Sequence, residues 1–270
     1  MKASAPASSA NMGPGFDCLA LALDRRCTVE VTDSTDWNVG PVDPGGFVEA
    51  AARRLSDRPL SVQVDSAIPV GRGLGSSAAV LTALTAAIRR HQDAPDDLQA
   101  IFEFVADVEG HPDNAAAAVY GGLAYSDPGG IRSLELHASW RPLVAVPDVA
   151  LSTPEARAAL PESIPFGVAA RTASRLVRLV EGLRTGDAGL LRNIGPDELH
   201  EPHRIALRPV IGDLLAAARS AGTPFAAISG SGPSVIALTT DDEFERVGEA
   251  LSAVGSTEVI SPAVAVTGVS

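Results

Sequence analysis

The sequence predicts an α+β protein of two domains. Strand-like and helix-like segments alternate in both halves of the chain, and a strand pattern restarts at "PLVAVPDVAL" after the turn-rich "SDPGG" and the polar "HASWR". With 270 residues and 46% hydrophobic content, the chain has enough apolar material for two cores of ordinary size. These observations divide it into residues 1–140 and 141–270.

Taken in order, "ALALDRRCTVEVTD" is rich in apolar and β-branched residues, and "LSVQVDSAIPV" alternates over 60–64, so both read as strands. A helix is predicted over 76–91, directly after a glycine-rich run. A second is predicted over 97–109, where Ile101, Phe104, Val105 and Val108 recur at i, i+3, i+4 and i+7. "AAAAVYGGLAY" reads as a short helix stopped by glycines before another strand. In the second half, helices are expected near 165–184 and 208–220. "FAAISGSGPSVIAL" reads as two strands around a glycine-serine turn, and "DDEFERVGEALSAVG" as a helix ending in glycine.

Net charge of −12 argues against a nucleic-acid surface, which needs a concentrated basic face. No apolar run approaches the roughly 20 residues that span a bilayer, and "MKASAPASSANMG" lacks the apolar core of a secretory signal. A cytoplasmic protein without a membrane partner is therefore expected. Cys18 and Cys27 are too few for a disulfide framework or a zinc cluster, so both read as small apolar residues. Lys2 is the only lysine. A P-loop and a protein-kinase lobe each need one elsewhere, so phosphates here must be met by amides, a metal ion, hydroxyls and arginines.

"PVGRGLGSSAAVLTALTAAIRR" (69–90) places its most flexible residues before a helix. The first amides of a helix have no partner inside it, and the peptide dipoles favour an anion at that end. A phosphate leads a carboxylate or a plain solvated turn as the candidate. Four further stretches stand out. "PASSANMGPGFDCLALAL" sets Asn11 and Asp17 around a Gly-Pro-Gly turn, and "VEGHPDNAAAAVYGG" offers His111, Asp113 and Asn114. "LSTPEAR" contains Thr153 and Arg157, and "AAISGSGPS" supplies Gly230, Ser231 and Gly232. Each also has a plain reading as turn or cap chemistry. "HEPH" at 200–203 lacks the H-E-x-x-H spacing of a zinc-protease helix and is interrupted by Pro202, so it reads as the segment presenting Arg204.

Together and in this order, "PASSANMGPGFD", "PVGRGLGSSAA", "EGHPDN…GG" and "ISGSGPS" resemble the GHMP small-molecule kinases, within them the branch acting on homoserine. The resemblance runs from Pro6 to about Leu238. It implies an N-terminal GHMP-type α+β domain, a C-terminal ferredoxin-like α/β sandwich, and transfer of a phosphoryl group from ATP to an alcohol between them. It further implies homoserine as co-substrate, a step of threonine biosynthesis, and a homodimer.

On that resemblance the triphosphate lies over Gly71, Arg72, Gly73, Leu74, Gly75, Ser76 and Ser77, with the loop Gly230, Ser231 and Gly232 nearby. Mg²⁺ takes few protein ligands and prefers hard oxygens; the resemblance assigns Ser77 and Glu103. An amino acid with a side-chain alcohol needs a forked cation, an anion and a positioned acceptor. Arg157 and Arg204 are assigned to its carboxylate and Asp17 to its ammonium. Asn11, His111 and Asn114 surround its hydroxyl, and Thr153 lies by the transferring phosphate. Related kinases often carry an aspartate where Asn114 stands, and an amide cannot act as a base. The expected reaction is therefore direct transfer with the γ-phosphate taking the proton, Asp113 being the competing base. A GHMP kinase for shikimate, mevalonate or a threonine-like alcohol is the alternative, and a silent binding module the reading from another class. Residues 32–60, where adenine-side contacts would be sought, are short relative to the family.

Overall fold

The computed structural model describes residues 1–40 and 46–270, so part of that short stretch, 41–45, lies outside the described residues. The first half contains strands β1 (Lys2–Ala10), β2 (Leu19–Asp33) and β3 (Asn38–Val39), helix α1 (Phe47–Leu55) and strand β4 (Leu60–Ser66). Helices α2 (Ser76–His91), α3 (Leu98–Glu109) and α4 (Asp113–Tyr120) follow, then strands β5 (Leu123–Asp127) and β6 (Gly130–Leu134). The sheet runs β3-β4-β2-β5-β6, with β1 paired antiparallel to β2 along its length. α2 begins directly after the glycines, as predicted, and is buried continuously from Leu81 to Ile88, while α3 follows its 3.6-residue apolar stripe. Leu81, Leu84 and Ile88 are fully buried, each stabilising the fold by about 1.5–3 kcal/mol relative to exposure.

Small residues set how closely these layers approach. After Lys2, β1 is built from Ala, Ser and Pro, which lack the bulk that marks strands, yet six of its last seven residues are buried. α4 rests on an alanine cluster of Ala10, Ala20, Ala22, Ala116, Ala117, Ala124 and Ala265. That close approach brings the start of α4, and with it Asp113 and Asn114, beside the turn leaving β1.

The second half opens with β7 (Arg141–Pro147), then helices α5 (Thr153–Ala158), α6 (Phe166–Thr185), α7 (Ala188–Arg192), α8 (Glu201–Leu207) and α9 (Val210–Ser220). Strands β8 (Phe225–Ile228) and β9 (Val235–Thr239), helix α10 (Asp241–Ser252) and strand β10 (Thr257–Ile260) complete it. The antiparallel sheet order β10-β7-β9-β8, with helical crossovers after its first and third strands, is the ferredoxin-like arrangement. The final residues return to the first sheet, where Ser4 and Ser270 exchange backbone hydrogen bonds of 2.8 and 2.9 Å. Pro202 does not interrupt a helix. It lies in the first turn of α8, where its missing N–H costs nothing.

The two halves meet where their glycine-rich loops pack on each other. Gly73 has φ +72°, and a Cβ there would stand 2.1 Å from the Ser229 carbonyl oxygen and 2.8 Å from the Gly232 amide nitrogen. Ser229 Oγ donates to the Gly73 carbonyl at 2.7 Å. Gly73→Ala is therefore expected to lower the unfolding free energy by about 3 kcal/mol, combining the left-handed backbone cost with overpacking. Urea unfolding reads this as a lower midpoint at unchanged slope.

Candidate active site

The loop before α2 ends on Gly75, which caps the helix in the left-handed conformation without any side-chain hydrogen bond, so the first amides stay free. Gly75 is glycine because of its neighbours: a Cβ would stand 2.1 Å from Ser8 Oγ and 2.9 Å from Asn114 Oδ1. These two atoms are themselves bonded, Ser8 Oγ donating to Asn114 at 2.8 Å. Around the helix mouth lies a cleft of about 130 Å³, a size for a phosphate tail and not a whole nucleotide. Gly71, Gly73, Leu74, Gly75, Ser76 and Ser77 line one side, and Thr153, Gly230 and Ser231 the other. Arg72 and Gly232 stand outside this lining. Arg72 turns to Asp148 at 3.4 Å, and Gly232 packs against Ile211 and Ile228.

Of the predicted metal set, Ser77 lines the cleft and Glu103 does not. Glu103 is exposed on α3 and accepts from Gln99 at 2.8 Å. Ser77 instead donates to Glu109, which lines the cleft at the end of α3. The two glutamates are six positions apart, so they leave the helix in directions about 120° apart, and of the two it is Glu109 that reaches the start of α2. Burial raises the Glu109 pKa, with Asp113 adding to the rise and the Ser77 hydrogen bond and His111 opposing it. Ser77 and Glu109 offer two hard oxygens, which fits a divalent cation of the Mg²⁺ type. Among the described residues no group of three or more His, Cys, Asp and Glu is arranged to hold a metal. Such a cation would draw the rest of its shell from water and phosphate.

Beside the cleft, His111 bonds Asp113 through Nδ1 at 2.9 Å. Burial lowers the His111 pKa, but the hydrogen bond and charge of Asp113, with Glu109, outweigh it and raise the net value. Asp113 is 1% exposed, and its Oδ1 also accepts from the Asn114 amide at 2.8 Å, so this one oxygen ties His111 to the start of α4. Asn11 is occupied as well: Nδ2 donates to the Gly230 carbonyl at 2.8 Å and Oδ1 accepts from the Asp17 amide at 3.0 Å. It ties the Gly-Pro-Gly turn to the second glycine loop. Thr153 faces Ser231, with 3.5 Å between the hydroxyl oxygens.

Asp17 and Arg157, 140 positions apart, form a bidentate pair at 2.7 and 3.0 Å. Arg204 is 1% exposed: one nitrogen, Nη1, donates to the Gly230 carbonyl at 2.7 Å, while Nε is buried with no partner among the described residues. Burial and the nearby Arg157 charge lower its pKa, Asp17 opposing them, to about 10, still above neutrality. Both guanidinium carbons lie over the Phe16 ring, at 5.8 Å for Arg157 and 5.5 Å for Arg204. Nothing in the sequence marks Phe16, which is one aromatic after a turn. A larger cavity of about 440 Å³ lies elsewhere between the domains, and none of the predicted residues lines it. Its charged walls are already paired, Arg219 with Glu201 and Arg192 with Glu243.

With this geometry in view, the model of the GHMP kinase N-terminal domain matches residues 46–122 and that of the C-terminal domain residues 179–257. The homoserine kinase of Gloeobacter violaceus is 38% identical over 269 residues, covering 92% of this chain and 90% of its own. The chain belongs to the GHMP kinase family. The homoserine kinase of Parasynechococcus marenigrum is 37% identical, covering 91% of this GHMP kinase and 86% of its own length. The crystal structure of homoserine kinase from Cytophaga hutchinsonii superposes with a TM-score of 0.87 at 27% identity, over 100% of this chain and 96% of that one. An L. major mevalonate kinase structure shares the fold with a TM-score of 0.73 at 15% identity, over 98% and 95% of the two chains. The fold is thus common to kinases of different alcohols, and selectivity must come from side chains. Among the described residues of this GHMP kinase, no helix is long and apolar enough to cross a membrane.

Proposed function

We propose that this GHMP kinase transfers the γ-phosphoryl group of ATP to the side-chain hydroxyl of L-homoserine, giving O-phospho-L-homoserine, a step of threonine biosynthesis. The observation that carries the reading is the cluster of Asp17, Arg157 and buried Arg204 beside the open mouth of α2. Two cations and one anion match the carboxylate and ammonium of an α-amino acid, whereas shikimate or mevalonate has no ammonium to offer Asp17. The relatives named homoserine kinase support the same substrate.

In this reading the free amides of Gly73 to Ser77 receive the phosphate tail, and Ser77 and Glu109 hold the divalent cation. A divalent cation held by these two residues would supply neutralisation of the phosphate charge. Arg157 and Arg204 hold the substrate carboxylate and Asp17 its ammonium, which directs the hydroxyl toward Asn114 and Thr153. Asn114 is no base: it is an amide whose oxygen already accepts from Ser8. Asp113 is buried and its Oδ1 holds His111 and the Asn114 amide, which gives it a place in the support of α4. The proton accordingly goes to the γ-phosphate, and catalysis rests on alignment and charge stabilisation. The working form is a cytoplasmic homodimer that binds no nucleic acid.

The test is a coupled ADP-release assay of the purified protein with homoserine, threonine, shikimate and mevalonate. Release that depends on homoserine, with at least a hundredfold lower kcat/KM for the other three, is the expected result; preference for any of the others overturns the reading.

A further inference from the structure

His200 is fully buried and lies outside every role described so far. It stands at the start of α8, one turn before Arg204, so the two side chains share a helix face. Asp197 fixes the backbone there by accepting from the amides of His200 at 2.7 Å and Glu201 at 2.9 Å. From that position His200 Nε2 stands 3.1 Å from the Gly13 carbonyl oxygen and Nδ1 stands 3.2 Å from Arg204 Nη1. The Phe16 ring lies against the imidazole, 5.2 Å between centroids.

These partners admit a single protonation state. A carbonyl oxygen only accepts and a guanidinium only donates, so Nε2 carries the hydrogen and Nδ1 is bare. A protonated imidazole would aim an N–H at the guanidinium. Burial holds the imidazole in the neutral form, pulling its pKa down to about 4, with Arg204 assisting and Asp197 opposing.

We infer that His200 is a positioning residue for substrate selection: it accepts from Arg204 and donates to Gly13, locking the carboxylate-binding guanidinium to the loop that carries Asp17. The inference rests on the assignment of Arg204 to the substrate carboxylate. With Nη1 spent on His200 and the Gly230 carbonyl, the guanidinium cannot rotate, and its unpartnered Nε is held in one direction. The loop between Asn11 and Asp17 is bound to the same imidazole through Gly13. The anion and cation of the amino-acid site are therefore tied through His200, in addition to the link that Asn11 makes between the Asp17 amide and the Gly230 carbonyl.

The experiment compares homoserine with 3-aminopropan-1-ol, the same alcohol without its carboxylate, in wild-type protein and in His200→Leu, His200→Asn and His200→Gln. In His200→Leu, KM for homoserine is expected to rise about tenfold or more, with kcat within about threefold and KM for ATP unchanged. The wild-type preference for homoserine over 3-aminopropan-1-ol, in kcat/KM, is expected to shrink by a similar factor. His200→Gln, whose amide offers an N–H to donate and a carbonyl oxygen to accept, is expected to recover part of that preference. His200→Asn, too short to reach both partners, shows the same loss as the leucine variant and decides the matter if leucine prevents folding. An unchanged preference in whichever of these two folds overturns the inference, as does an equal fall in kcat for both alcohols. Failure of the underlying assignment is seen in the unaltered protein: wild type that treats the two alcohols alike does not use Arg204 on a carboxylate, and the inference falls with it.

Discussion

Glu109→Gln lowers turnover about 10²–10³-fold and raises the Mg²⁺ concentration needed for half-maximal rate, while Glu103→Gln leaves both within about threefold of wild type. The contrast follows from position. Glu109 accepts from Ser77 at the first turn of α2, directly beside the amides assigned to the phosphates, and Glu103 is exposed with Gln99 as its partner. Glutamine preserves shape and can still accept from Ser77, so the fold is retained and the loss falls on cation binding. A cation that stabilises phosphoryl charge contributes several kcal/mol at the transition state, and about 3–4 kcal/mol corresponds to the stated loss. Steady-state rates over a MgCl₂ titration measure it. A large loss in Glu103→Gln with little in Glu109→Gln would reverse the assignment.

Asp17→Asn raises KM for homoserine about 30- to 100-fold at unchanged KM for ATP. Without substrate, Asp17 and Arg157 neutralise each other through two hydrogen bonds. A zwitterion can replace both halves of that pair, its carboxylate taking Arg157 and its ammonium taking Asp17. A plain hydroxy acid such as 4-hydroxybutyrate, which is homoserine without the amine, takes the arginine and strands the aspartate. Hydrogen bonds to charged groups contribute about 1.5–3 kcal/mol each, which sets the size of the effect at this half-exposed pair. The same variant should narrow the preference for homoserine over 4-hydroxybutyrate by about tenfold or more, since asparagine no longer penalises the missing ammonium. Competition kinetics with the two alcohols provide the comparison, and a preference that stays intact in Asp17→Asn contradicts the exchange.

Where local chemistry decides structure, the sequence was readable. The glycines before Ser76 and the apolar stripe of α3 place both helices to within a residue, because capping and periodicity are properties of the segments themselves. β1 was not readable, since "KASAPASSA" lacks strand-forming bulk and becomes a strand only by packing beneath α2 and α4. The choice between Glu103 and Glu109 depends on how α2 crosses α3, and nothing within α3 records that crossing. The pairing of Asp17 with Arg157 spans 140 positions and leaves no local mark. The bond from Arg204 to His200 did leave one: four-residue spacing on one helix face. Reading Pro202 as an interruption hid it, although proline is at home in a helix's first turn.

All of these assignments depend on the glycine turn and the amides opening α2 serving as the seat of the nucleotide's phosphates. A crystal structure with a non-hydrolysable ATP analogue, Mg²⁺ and homoserine tests this most directly. The expected density has the triphosphate over Gly71 to Ser77, the cation on Ser77 and Glu109, and homoserine between Asp17, Arg157 and Arg204 with its hydroxyl facing the terminal phosphate. A triphosphate bound elsewhere, with the turn before Ser76 empty, would contradict it.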